Sequence, residues 1–166
     1  MNEMRRTGRL RVRSRPALVE FDVLPPVVFA GRKHRMMDHQ LTIVVYQEIY
    51  GICRLESDAP VPEWAGGARF LSITRTAREL SIVCEEAMVP EHVHAERNRR
   101  LMQIEGTLGF TLTGVLASVA APLANAGISV FAVSTYDTDY LLVSNEDLQE
   151  ATQVLEAAGH TIRQNP

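Results

Sequence analysis

Two stretches of this chain alternate apolar and polar residues, break at a short polar turn, and then alternate again. "FLSITRTARELSIVCEE" (Phe70 to Glu86) and "VFAVSTYDTDYLLVSNE" (Val130 to Glu146) superpose without a gap at an offset of sixty residues. Each predicts a β-hairpin. Upstream, "CRLES" (Cys53 to Ser57) resembles "MQIEG" (Met102 to Gly106) at an offset of forty-nine. The pattern is an internal repeat whose copies differ by eleven residues between the first strand and the hairpin. Such a length makes about three helical turns.

The second copy holds the extra residues. "TLGFTLTGVLASVAAPLANAGIS" predicts a helix capped by Thr111 or Thr113 and closed at Gly127, with Val115, Leu116, Val119, Leu123 and Ala126 on one face. Pro122 has no N–H for the Ser118 carbonyl, which predicts a bend or an end to the regular helix there. The first copy offers only "DAPVPEWAGG", whose prolines and glycines allow one turn at most, with Trp64 plugging the place of the missing helix.

After the second hairpin, Ser144 can cap a further helix, with Glu146 and Asp147 at the positive end of its dipole. Its expected buried stripe is Leu148, Ala151, Leu155 and Ala158, with Gln149, Glu150, Gln153 and Glu156 facing water. Gly159 stops it, and "HTIR" is a short last strand. Copy two therefore reads β-α-β-β-α-β from Leu101 to Arg163, and copy one, from Ile49 to Arg100, is an eroded version. The expected fold is α+β: two ferredoxin-like (βαββαβ) units with antiparallel sheets and the helices on one face, leaving the other face in need of cover or a partner. The implied domains are a basic, disordered extension over 1–38, a degenerate unit over 39–100 and a full unit over 101–166.

Composition adds three exclusions. The 166 residues are 46% hydrophobic and 22% charged, as in a globular protein, and hold no apolar run long enough for a membrane span. Cys53 and Cys84 lack CxxC spacing, which argues against a disulfide scaffold or a zinc knuckle and for a reducing cytoplasm. The net charge of -3 divides into +5 over residues 1–38 and -8 over 39–166. An acidic body has no electrostatic footprint for nucleic acid. The basic head has no signal-peptide core, since Glu20, Asp22 and Pro25-Pro26 interrupt its apolar part. Met36 and Met37, just ahead of the periodic region, are alternative starts.

Candidate chemistry gathers in copy two. The backbone N–H groups around Thr113, Gly114 and Val115, at a helix start, make a place for an anion, while Asp137 and Asp139 in the hairpin turn favour a cation. Both should lie at one end of the sheet, and together they match a zwitterion. Ordinary turn chemistry, in which an aspartate bonds its own backbone, explains the same residues, and spacing leaves both readings open. In copy one, Arg75 and Arg78 stand at the offset-sixty places of Thr135 and Thr138, where they can pair with acids or reach solvent. His92 and His94 are spaced HxH, but their polar segment offers no further ligand, so no metal and no cofactor is expected. There is no GxSxG, no phosphate loop and no histidine beside either cysteine, and Cys84 reads as a core residue.

"TGVLASVAAPLANAGI" and "STYDTD" carry a resemblance to the ACT domain, a small-molecule-binding regulatory module of amino-acid metabolism. From Leu41 to Ile162 the chain resembles bacterial stand-alone tandem ACT proteins, and its C-terminal half is similar to the ACT domains of animal cytosolic arginine sensors and to aspartate kinase regulatory domains. The resemblance implies a non-enzymatic, cytoplasmic amino-acid sensor or regulatory subunit acting as a homodimer. It points to Gly114, Val115, Thr135, Tyr136, Thr138 and Asp139 as ligand contacts. The chain has half as many ACT copies as those sensors, so arginine itself is not implied. The alternative is a protein-protein interaction module without a ligand, using the sheet edge.

Overall fold

The computed structural model describes residues 40–165, so the basic N-terminal extension and the alternative starts lie outside the described residues. Strands β1 (Thr42–Leu55), β2 (Ser72–Arg75), β3 (Leu80–Glu85), β4 (Ala95–Ile104), β5 (Phe131–Ser134), β6 (Asp139–Ser144) and β7 (Thr161–Gln164) share one sheet, accompanied by helices α1 (Val115–Asn125) and α2 (Leu148–Ala157). The order is β2-β3-β1-β4-β6-β5, and β7 adds to β1. The β-branched, apolar run "TIVVYQEIYGICRL" makes β1 long enough to serve both units. Its first half pairs in parallel with β7, from Thr42↔Thr161 to Val45↔Gln164, and its second half antiparallel with β3, from Tyr50↔Glu85 to Leu55↔Leu80. Along the other edge it pairs with β4, where the register shifts twice, between Val45 and Ile49 and between Tyr50 and Ile52. The units therefore run together through β1 and β4, and β4 begins at Ala95, six residues ahead of the expected Leu101.

The structure corrects the repeat. In both hairpins a threonine N–H donates to a carbonyl three residues on, Thr76 to Glu79 and Thr135 to Thr138, which are 59 residues apart rather than sixty. First strands match Cys53 opposite Ile82 with Met102 opposite Leu141, the expected forty-nine, so the insert is ten residues. The slip arises because Ile82, Val83 and Cys84, like Leu141, Leu142 and Val143, are buried on both faces. A contiguous apolar run has no alternation from which register can be read.

Both helices pack on one face. Val115, Val119 and Leu123 of α1 and Ala151 and Leu155 of α2 cover Ile43, Val45, Met102, Ile104, Leu141 and Val143. Leu116 and Leu148 are half-buried as expected of a stripe's margin, whereas Ala126 and Ala158 lie at the helix ends and are exposed. In the first unit a single 3-10 turn, Glu63–Ala65, stands where a helix would be, and Trp64 and buried Ala65 pack on Cys53, Leu80, Ile82 and Cys84. The opposite face has its own cover. Phe70 meets Tyr50 edge-on at 6.0 Å and Tyr140 at 4.7 Å, above buried Val83, Leu101 and Leu142.

Two details were not anticipated. Cys53 and Cys84 are buried on neighbouring strands, and a thiol–thiol hydrogen bond holds Cys53 below the ordinary thiol range and, with burial, pushes Cys84 above it. In α1, Pro122 does not end the helix, which continues to Asn125. The Ser118 carbonyl it leaves without a donor is bonded instead by His160 Nε2 at 3.2 Å. Without such a donor, a buried carbonyl costs about 1–3 kcal/mol.

Candidate functional site

A cleft of about 310 Å³ opens between the loop after β4, the start of α1 and the β5–β6 turn. Residues 134–139 form one wall, and Leu108, Gly109, Phe110, Leu112 and Gly114–Leu116 the other. Of the expected site residues, Gly114, Val115, Thr135, Tyr136, Asp137, Thr138 and Asp139 line it together, while Thr113 is exposed and does not.

The threonines expected to cap α1 do not occupy the cap position. Gly114 does, at φ 84°, a left-handed conformation that an L side chain adopts only with strain. Space before it is open, since a Cβ there would meet nothing within 4 Å. The first acceptor in the helix is the Gly114 carbonyl, bonded by the Ser118 N–H at 2.8 Å, so the N–H groups of Val115, Leu116 and Ala117 have no intrahelical acceptor. Val115 and Leu116 line the cleft, and free N–H groups at a helix start suit an anionic group.

The opposite wall is braced by its own side chains. Thr135 Oγ1 donates to the Thr138 carbonyl at 2.8 Å and accepts the Thr138 N–H at 3.3 Å. Thr138 is buried, and its hydroxyl donates to the Ile104 carbonyl at 2.5 Å, tying the turn to the end of β4. Leu108 N–H bonds the Asp137 carbonyl at 2.7 Å and fastens the facing loop to the same turn. Thr138 is thus a pin, its hydroxyl committed to the fold.

The two aspartates part company. Asp139 shares the helix-facing side of β6 with Leu141 and Val143, and Ser134 Oγ donates to its Oδ1 at 2.5 Å. One hydroxyl takes a small part of a carboxylate's acceptor capacity, so the group remains able to receive a cationic ligand atom. Asp137, on the same cleft wall, also acts on Tyr140, whose phenol is raised above the ordinary range by burial and then by the Asp137 charge. At the mouth, Phe110 and Tyr136 are 78% and 79% exposed and meet edge to face at 5.1 Å. Ser134 and the 108–112 loop were missed from sequence, although a glycine and an aromatic in "TLGFTLTG" were the available signal.

The described residues of the first unit do not repeat the side chains of this cleft. At the corrected offset, Arg75 replaces Ser134, Arg78 replaces Asp137 and Leu80 replaces Asp139. Arg75 is exposed and folds back on its own unit, its guanidinium donating to the carbonyls of Ser57 and Ala59, the latter at 2.8 Å, rather than to an acid. Among the described residues no three His, Cys, Asp or Glu side chains gather as metal ligands, and His92 and His94 are exposed.

A family model described as the ACT domain matches residues 94–157, the span from the start of β4 through α2. This span is an ACT domain. A second model, described as an N-terminal domain, matches residues 48–92. The human protein CASTOR3P is 33% identical over 100 residues, which are 52% of this chain and 61% of that protein. The human cytosolic arginine sensor for mTORC1 subunit 1 is 38% identical over 58 residues, 34% of this chain and 18% of the sensor. The chain thus matches less than two thirds of either curated relative. Among solved structures, protein Atu0741 from Agobacterium tumefaciens has a TM-score of 0.73 at 38% identity, covering 76% of this chain and 95% of that one. Aspartate kinase from Clostridium acetobutylicum has a TM-score of 0.53 at 13% identity over 70% of this chain and 34% of the kinase, a likeness of ACT fold alone.

Proposed function

We propose that the ACT-domain cleft binds a free amino acid and that the chain is a non-enzymatic sensor or regulatory subunit of the cytoplasm. The observation that carries this reading is one cleft holding the first-turn N–H groups beyond Gly114 on one wall and the Asp139 carboxylate on the other. A carboxylate fits the helix end and an ammonium or cationic side chain the aspartate. Identity with the arginine sensor supports an amino acid as the ligand class. In this reading residues 101–166 are the ligand-bearing ACT unit and 39–100 a degenerate copy that lacks its cleft side chains.

A thermal-shift screen of the twenty amino acids tests it. A ligand that binds only the folded state, present at a hundredfold excess over its dissociation constant, stabilises by about 2.7 kcal/mol, giving a rise of several degrees for one or a few related amino acids. No shift with any of them overturns the amino-acid reading and favours the interaction module.

We also propose a symmetric homodimer. Among the described residues β2 and β5 are the edge strands of the sheet, and they expose Ile73 and Phe131, at 41% and 37%. Light scattering at tens of micromolar should report twice the chain mass, and a monomer removes the dimer while leaving ligand binding untouched.

A further inference from the structure

His160 is buried at the junction of α2 and β7, and neither the repeat nor the cleft uses it. Its two ring nitrogens reach two other elements. Nδ1 lies 3.4 Å from the Leu41 amide nitrogen, at the entry to β1, and Nε2 lies 3.2 Å from the Ser118 carbonyl, inside α1. An amide can only donate and a carbonyl only accept, so both contacts are satisfied together by the neutral imidazole with its proton on Nε2. The Ser118 carbonyl is available because Pro122, four residues on, has no N–H to give it. Ser118 is held from the other side as well, its N–H on the Gly114 carbonyl at 2.8 Å and its hydroxyl on the Val115 carbonyl at 2.7 Å. Gly114 and Val115 line the cleft.

We propose that His160 is a positioning residue for the cleft: its imidazole stands in for the donor that Pro122 removes, fixes α1 against β1, and so sets where the first-turn N–H groups stand. The placement of α1 holds with or without a ligand, and its consequence for affinity rests on the amino-acid reading of the cleft. The proline and the histidine form a pair. A helix with an ordinary residue at 122 satisfies Ser118 internally and has no need of the side chain that precedes β7.

The full chain tests this by a double-mutant cycle. His160→Leu keeps an apolar volume and removes both hydrogen bonds, and Pro122→Ala returns an N–H to the Ser118 carbonyl. Hydrogen exchange at the Ser118, Val119 and Ala120 amides, the first in α1 with acceptors inside the helix, relative to the β6 amides of Leu141–Val143, should quicken about tenfold in His160→Leu, the factor for one lost hydrogen bond. That excess should vanish when Pro122→Ala is added, and His160→Gln, which keeps a donor and an acceptor, should show a smaller excess than His160→Leu. An excess of the same size in both backgrounds, or none in either, overturns the proposal. Calorimetry with the amino acid found in the screen should show a matching loss of affinity in His160→Leu, with recovery in the double variant. If no amino acid binds the wild type, the ligand reading falls, and the exchange cycle still decides the role of His160.

Discussion

Trp64→Ala should lower folding stability by about 2–3 kcal/mol, below the usual range for a fully buried tryptophan because the ring is half-buried. The first unit has one 3-10 turn where the second has α1, and the indole supplies much of the apolar surface above Cys53, Leu80, Ile82 and Cys84. Truncation leaves a hole, and Pro60 and Pro62, whose φ is fixed on the way into the turn, limit how far the backbone can close it. For a chain of this size the change is worth roughly 6–10 °C in melting temperature. Circular dichroism is the suitable probe, since Trp64 is the sole tryptophan and its loss removes the tryptophan fluorescence signal. Trp64→Phe should recover more than half of the loss. An unchanged melting temperature in Trp64→Ala would mean that the first unit is held by its sheet pairing alone.

Asp139→Asn should weaken amino-acid binding by about 1.5–3 kcal/mol, the contribution of a hydrogen bond to a charged group, with little effect on the fold. The amide oxygen can still accept from Ser134, whose hydroxyl now donates to Oδ1, so the β5–β6 connection is kept. What disappears is the negative charge on the helix-facing side of β6, opposite the start of α1. Asp137→Asn is the internal comparison. Its backbone carbonyl is bonded by the Leu108 N–H at the turn, it is exposed, and its charge also acts on Tyr140, so its effect on affinity should be the smaller. Titration calorimetry on wild type and both variants decides: equal affinities for wild type and Asp139→Asn would remove Asp139 from the site, and a larger loss in Asp137→Asn would reverse the assignment.

Much of this protein is legible in its sequence wherever interactions are local. The two hairpins, the helix over residues 115–125 and the helix over 148–157 follow from periods of two and 3.6 residues and from glycine and proline punctuation. The cleft was legible for the same reason, since Gly114 at a helix start and "STYDTD" at a hairpin turn are each local signals, and the ferredoxin-like order brings them to one end of the sheet. Three things waited for tertiary structure. Register in the doubly buried strands, and with it the 59-residue repeat, is set by pairing across strands, because a run such as "LLV" looks the same to either face. The sharing of β1 between β3 and β7 depends on contacts more than a hundred residues apart, which no local pattern encodes. The partner of the Ser118 carbonyl was equally hidden: the sequence announces that Pro122 removes a donor, but only the folded chain brings His160, 42 residues from Ser118, to supply one. Local patterns specify what each segment can form, and long-range packing decides which buried polar groups meet.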